Sequence, residues 1–297
     1  MTKNPFSIYD FMGYLFPGLL LLFFVFYILD DKFNVHDIFH FKSFVDAIKA
    51  KDDMISLNSS VLMIVLGYVV GHFISYVSSM TVEYQFKSSF GYPSKFLLNE
   101  KKSKYKDLLK SNFTTRAESS NNTVLWVKTI LKLLLKLSIN VLIIPITLTN
   151  LTIGYLFDIN GFITRPLDGF LRKSIRLKLQ MLADKISISK PSVNEECDYH
   201  RIIMHYVYTH IPNSQKKIDN YIALYGFLRC ISLIFCLSFD ALLFYAITTI
   251  DFSCSIDYDV ISELCILYVM AYLSFLAFVK FYRRATLEDF MTLLIGI

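Results

Sequence analysis

Four stretches of the chain are apolar almost throughout and set its layout. They are FMGYLFPGLLLLFFVFYIL (11–29), the run 59–80, ALYGFLRCISLIFCLSFDALLFYAITTI (223–250) and VISELCILYVMAYLSFLAFVK (260–280). At 1.5 Å per residue, each matches the roughly 20 residues needed to cross about 30 Å of hydrocarbon. The pattern predicts an all-α membrane protein with four transmembrane helices. A helical region, 81–222, is inserted between helices 2 and 3. Loops at 30–58 and 251–259, an N-terminal segment of residues 1–10 and a tail of residues 281–297 complete the layout. The first run ends at Asp30, Asp31 and Lys32 without a small-residue cleavage site, so it reads as a retained signal anchor.

The second span is oddly polar. GYVVGHFISYVSSMTVEY (67–84) holds Gly67 and Gly71 at the G-x-x-x-G spacing that lets another helix approach closely, with Ser75 and Ser78 extending the small-residue strip. Beside it, Tyr68, His72, Ser75, Ser79 and Glu83 form a polar stripe on a regular helical step. Two readings stand: the stripe packs on another helix, or it faces water in a path that includes Asp240. Ionisable groups inside spans are costly and default to function. Asp240 lies near the middle of the third span. Arg229 precedes it by 11 residues, within about 20° of the same face but some 16 Å away along the axis, too far for a direct pair. These residues, His72, Ser75, Ser79, Glu83, Arg229 and Asp240, are the candidates for a channel lining or gate. Glu263 reads as interfacial.

Within 81–222, TVLWVKTILKLLLKLS (123–138) carries Lys128, Lys132 and Lys136 four residues apart, a basic stripe on an apolar helix. That suits a helix lying in the membrane surface, or equally a core helix with a solvated face. The next run, 139–157, is long enough to cross, yet Asn140, Pro145, Thr147, Thr149, Asn150 and Thr152 suit a lipid-facing helix poorly. Segment 123–157 is therefore expected to be interfacial or re-entrant, its backbone covered by protein or water. A further amphipathic helix is expected from Pro166, capped by Thr164, with Arg172, Lys173, Arg176 and Lys178. A helix broken at Pro212 should follow, and a second one, from about Ser214, should run straight into the third span and couple this region mechanically to it.

Charge then orients the layout. Residues 81–220 hold 21 of the 30 lysines and arginines against 11 acids, whereas the 30–58 loop holds 4 basic and 6 acidic residues. Cytoplasmic segments carry the basic excess, so both termini and the 81–222 region are expected on the cytoplasmic side of a bacterial inner membrane, and the 30–58 and 251–259 loops on the periplasmic side. The composition, 54% hydrophobic with 16% aromatic residues and a mean hydropathy of +0.46, excludes an ordinary soluble domain. Five cysteines show no disulfide framework. Cys197, His200, His205 and His210 fit no standard metal spacing, and neither a metal nor a cofactor is expected.

The basic region, interleaved with tyrosines, suits an anionic partner: the inner leaflet, a nucleotide or single-stranded nucleic acid. Its candidate contacts are Lys128, Lys132, Lys136, Arg172, Lys173, Arg176, Lys178, Arg201, Lys216 and Lys217. Ordinary positive-inside charge explains the same pattern without a ligand. No phosphate-binding glycine fingerprint is present, and no motif of an intramembrane protease or other enzyme appears.

YDFMGYLFPG, GHFISYVSS with Glu83, FGYPSKFLL (90–98) and KKIDNYIALYGFLR resemble the layout of bacterial inner-membrane proteins of defence loci. In architecture the chain is similar to the channel-type membrane effectors of antiphage systems such as Hailong. The resemblance implies a homo-oligomeric channel gated from the cytoplasm and controlled by the product of a soluble nucleotidyltransferase. The alternative is a membrane anchor or scaffold that recruits a soluble partner or anionic lipid.

Overall fold

A computed structural model of the chain describes residues 10–31, 53–99, 123–185, 199–249 and 258–296. The described residues are helical with short connections, and contain no strand. In chain order the helices are α1 (Phe16–Asp31), α2 (Asp53–Ser78), α3 (Tyr84–Phe90), α4 (Pro93–Leu97), α5 (Thr123–Leu142), α6 (Ile144–Leu151), α7 (Ile153–Leu156), α8 (Ile159–Ile163), α9 (Gly169–Lys185), α10 (Tyr199–His210), α11 (Pro212–Thr249) and α12 (Tyr258–Gly296). A π turn, Phe11–Leu15, leads into α1, and a second, Ser79–Glu83, joins α2 to α3. Residues 32–52 and 250–257, with Cys197 and Cys254, lie outside the described residues; the ends of the expected loops 30–58 and 251–259 that are described, Asp30, Asp31, 53–58, Tyr258 and Asp259, are helical.

Four helical stretches are long and apolar enough to cross a membrane: Phe11–Ile28, Val61–Leu97, Gln215–Thr249 and Tyr258–Gly296. The last two outrun the bilayer. At 1.5 Å per residue, the 38 residues of α11 and 39 of α12 measure roughly 57 and 58 Å, so each extends well beyond about 30 Å of hydrocarbon. The tail expected at 281–297 is therefore a continuation of α12, and α11 starts at Pro212, two residues ahead of the expected Ser214.

Residues 123–157 form no single helix. Leu134–Leu142 and Ile144–Leu151 meet at 94° around Ile143, next to Pro145. Proline has no N–H to give and its ring obstructs the preceding turn, which accounts for a break here. The Ile146 and Thr147 amides both turn back to the Ile143 carbonyl, at 3.1 and 3.0 Å, and the Thr147 hydroxyl lies 3.2 Å from the same oxygen.

Contacts divide the chain into two compact units. The first comprises Met1–Glu83, Leu134–Thr149 and Gly226–Phe278. Its tightest packing is between α1 and α2, where backbones touch. A Cβ on Gly18 would sit 1.8 Å from the Gly67 carbonyl oxygen, and one on Gly71 1.8 Å from the Tyr14 carbonyl oxygen. Only glycine permits this approach. A Cβ on Gly67 would instead meet the Leu19 side chain at 2.6 Å, and side chains yield more easily. Phe16 against Phe227 and Phe24 against Phe235, at 5.6 and 5.8 Å, carry α1 onto α11. Ser232 donates to the Ala271 carbonyl at 3.0 Å, joining α11 to α12.

The second unit comprises Tyr84–Leu133, Asn150–Tyr225 and Val279–Ile297. It has its own apolar core, with Phe86, Leu97, Leu98, Ile175, Ile203, Ile218 and Phe290 all fully or almost fully buried. Phe86 and Tyr225 both pack on Tyr282, with ring centres 5.8 and 4.9 Å apart. Gly91, at φ 82°, closes α3 in the left-handed conformation glycine tolerates, and Pro93 opens α4 at a position where its missing N–H costs nothing. The start expected for α9 is corrected. Pro166 lies in an irregular stretch, and the helix begins at Gly169 because the Asp168 carboxylate accepts the Leu171 amide at 2.8 Å.

Gly18→Ala and Gly71→Ala are each expected to lower stability by about 1–3 kcal/mol, because backbone must separate to admit the methyl group. Gly67→Ala should cost less. Gly226→Ala, where a Cβ meets nothing within 4 Å, should be neutral or stabilising by up to about 1 kcal/mol through helix propensity. Thermal unfolding of the four variants in one detergent checks the order.

Candidate functional site

The polar stripe of the second span divides between two surroundings. Ser75, Ser78 and Glu83 converge on Arg229 of α11. The Arg229 Nη1 donates to the Glu83 carboxylate, Nε donates to the Ser78 hydroxyl at 3.1 Å, and Nη2 donates to the Ser75 carbonyl at 3.3 Å. Ser78 is fully buried, donates in turn to the Ser75 carbonyl at 2.9 Å and lies 3.5 Å from Cys230 Sγ. The side chains of Arg229 and Glu83 are 12% and 13% exposed, so this is a desolvated ion pair with hydrogen bonds filling the arginine's other donors.

The π turn explains how Glu83 reaches it. On an uninterrupted α-helix, Glu83 stands about 80° round from Ser75, eight residues earlier. A π turn absorbs about one extra residue. Glu83 then takes the place of a residue seven after Ser75, on the face shared by Ser75 and Ser78. His72 and Ser79 fall elsewhere and are exposed. His72 stacks on Tyr14 at 3.9 Å, with the Tyr68 ring edge-on at 4.6 Å. Gly67 and Gly71 both lie against residues that precede or open α1, as the packing above describes.

Asp240 is 11 residues beyond Arg229 on the same helix and makes no pair with it. Its Oδ1 is enclosed and has no hydrogen-bond partner among the described residues; the same holds for Asn140 Oδ1 on α5. One turn before Asp240, Cys236 is buried and contacts the Ile146 backbone, just past the 94° bend. Thr149, at the far end of α6 from the bend, lies 2.6 Å from the Tyr268 hydroxyl of α12, and Tyr268 packs edge-on against Phe239 at 5.7 Å. Asp240 thus belongs to a part of the first unit where a bent helix supplies irregular backbone. Glu263, read as interfacial, accepts from the Tyr27 hydroxyl at 3.2 Å.

In the second unit the basic candidates are dispersed. Arg172, Lys173 and Arg176, with Gly169, Leu177 and Gln180, line an open cleft of about 380 Å³ along α9. Arg176 also donates to the Leu98 carbonyl at 2.8 Å. Lys178 projects on another side of the same helix. Arg201, Lys216 and Lys217 are exposed, and Lys217 pairs with Glu288 at 2.8 Å. Lys136 is half-buried, while the side chains of Lys128 and Lys132 lie outside the described residues. His205 and His210 are exposed, His210 stacking on Tyr206 at 4.3 Å. Among the described residues no three histidine, cysteine or acidic side chains are grouped to hold a metal ion.

The joint between α10 and α11 carries residues that spacing did not single out. Tyr208 donates to Asp219, and Gln215 donates to the Tyr208 carbonyl. Burial first, and then the bond to Asp219, hold the Tyr208 phenol above its ordinary range. Asp219 lies 11 residues on, a separation that signals a contact only once the chain is known to fold back at Pro212.

Fold and site together define a class: an all-helical protein with four helices fit to cross a membrane, two of them joined by a desolvated ion pair. No family model, curated protein or solved structure matches the chain.

Arg229→Gln leaves Glu83 without its cation, and breaking a buried pair in this way costs about 3–5 kcal/mol. The double change Arg229→Met with Glu83→Leu should recover most of that loss, as measured by thermal unfolding in detergent. Tyr208 gives a pH test. Its native phenol keeps its proton to higher pH than an unfolded tyrosine, which titrates near 10, so its contribution is complete below about pH 10 and falls away above it. Tyr208→Phe should unfold more easily at neutral pH, yet lose less further stability between about pH 9 and 11.

Proposed function

We propose that the chain is the subunit of an oligomeric channel in a bacterial inner membrane, with both termini inside. Its basic region receives an anionic ligand, a nucleotide or single-stranded nucleic acid, that controls opening, and the protein acts in antiphage defence. The observation that carries this reading is Asp240, whose Oδ1 is enclosed with no partner among the described residues, one turn along α11 from Cys236, which contacts Ile146 just past the 94° bend. An aspartate in the middle of a span costs about 2.5–3.5 kcal/mol, and nothing described around it offsets that cost. A passing cation or proton would. Irregular backbone at membrane depth is tolerated chiefly where it is covered by protein or lines a water-filled cavity, and the bend at Ile143 and Pro145 is such a backbone. A subunit of four or five spans has little room for a lumen of its own, which is why the reading requires several copies. The basic excess of 81–220 supports the orientation and the anionic ligand alike, and a soluble nucleotidyltransferase is the expected source of that ligand.

The second reading, a membrane anchor that recruits a soluble partner or anionic lipid, is favoured by the exposure of Lys173, Arg201, Lys216 and Lys217. The two separate on one residue. Reconstituted in liposomes, wild-type protein should pass monovalent cations, and Asp240→Asn should lower the flux at least about ten-fold if the carboxylate supplies the charge an ion needs in place of water. Equal flux from both proteins, or no flux from wild-type protein with and without oligonucleotides, leaves the anchor as the reading that stands.

A further inference from the structure

Helix α9 turns two apolar faces outward from its axis, and the second unit buries only one. Ile175 and Leu182 are 0% and 2% exposed and form the face packed in the core. Phe170, Leu177 and Met181 are exposed at 79%, 53% and 54%. On a 100° step these three fall within about 40° of one another and roughly 130° round from the buried pair. Their exposure is thus a continuous stripe. Lys173 and Arg176 lie on one side of it and Lys178 on the other. The chain just before α9 has the same character, with Leu156, Phe157 and Phe162 exposed at 77%, 74% and 73%.

We infer that this face of α9 lies in the membrane surface and is covered by anionic lipid. Phe170, Leu177 and Met181 enter the boundary between headgroups and acyl chains, and the flanking cations reach back to lipid phosphates. Three observations choose lipid over a protein partner. Cations on both sides of a narrow apolar stripe are the arrangement of an in-plane helix, with basic side chains laying their stems on the apolar zone and their charges in the headgroups. The cleft lined by Arg172, Lys173, Arg176 and Gln180 adjoins the stripe, and the Arg172 Nε–H inside is enclosed with no acceptor among the described residues. A headgroup phosphate in the cleft would bring a negative charge to the Arg172 guanidinium. Finally, only 17 residues separate Leu151, the end of the apolar bent pair, from Gly169. A fully extended linker of that length spans at most about 60 Å, and the short helices α7 and α8 shorten it further. The inference rests on the chain being a membrane protein and is independent of ion conduction.

The test uses the full chain in vesicles and the single native tryptophan, Trp126. In a Trp126→Phe background, Phe170→Trp places a reporter on a side chain the fold leaves exposed. Vesicles of phosphatidylcholine, with or without a quarter phosphatidylglycerol, carry acyl chains brominated near the headgroup. Brominated lipid is expected to cut the emission about two-fold in the anionic vesicles, with acrylamide quenching weakly. Neutralising Arg172→Gln together with Lys173→Gln should remove the dependence on phosphatidylglycerol. Arg176 is left in place because it also holds the Leu98 carbonyl. Strong acrylamide quenching with no effect of bromine overturns the inference, since the face is then in water. Shielding from both quenchers overturns it as well, since a second copy or another protein then covers the stripe. If added phosphate or oligonucleotide protects the reporter while brominated lipid does not touch it, the cleft binds a soluble anion and the lipid assignment fails.

Discussion

A guanidinium cannot be left alone in the apolar interior of a helical bundle, and much of the first unit is arranged around that constraint. Arg229 is nearly buried. Its charge is met by Glu83, its Nε by Ser78 and its Nη2 by the Ser75 carbonyl. A buried pair contributes little net stability against an apolar alternative of the same shape, but it penalises severely any arrangement that separates the partners. The pair therefore acts as a specification of register: α2 and α11 have one relative position at which all three acceptors meet the same arginine. Serines at 75 and 78 reinforce this by being small, so that the charge sits close to the helix that satisfies it.

The same constraint accounts for the backbone on either side. A regular helix would carry Glu83 away from Ser75, and the π turn Ser79–Glu83 returns it. Nearer the start of α2, Gly67 and Gly71 allow α1 to approach until backbones touch, so α2 is fixed by close packing along one part of its length and by a polar contact further on. These interactions differ in kind. The glycine contact is dispersion between closely fitted surfaces and works equally well in lipid, where apolar burial gives no advantage. The ion pair is directional and discriminates among rotations of the helix.

How much of this could be read from the sequence differs by the physics involved. Spans were legible because the bilayer demands a length and an apolarity that local sequence alone must supply, and all four apolar runs fall within helices of the predicted kind. The extent of α11 and α12 was not, since hydropathy falls at the membrane boundary while the helix continues into the second unit, where residues such as Phe290 and Leu293 are buried by partners distant in sequence. Gly67 and Gly71 were legible as a spacing, but not Gly18, which has no glycine four residues away in its run and meets Gly67 only through the crossing of α1 and α2. The partner of Arg229 was hidden for a more specific reason: spacing assumes a constant step, and the π turn breaks it between Ser78 and Glu83. Thr164 was the expected cap for α9, whereas the amide of Leu171 pairs with Asp168, which the sequence pattern did not single out.

The place of the ion pair along the chain has a further consequence. The polypeptide leaves the first unit after Glu83, returns to it over Leu134–Thr149 and enters it for the last time at Gly226, three residues before Arg229. The pair therefore joins two of the points at which the chain changes unit. α11 runs through Gly226 without a break. Within the first unit, α11 can shift only by moving Arg229 relative to Glu83 or by carrying α2 along with it. The first course exposes a buried charge, at a cost of several kcal/mol. Concerted movement of α2 and α11 is the less costly course, and α2 in turn is held to α1 by glycine contacts that leave no space for slippage.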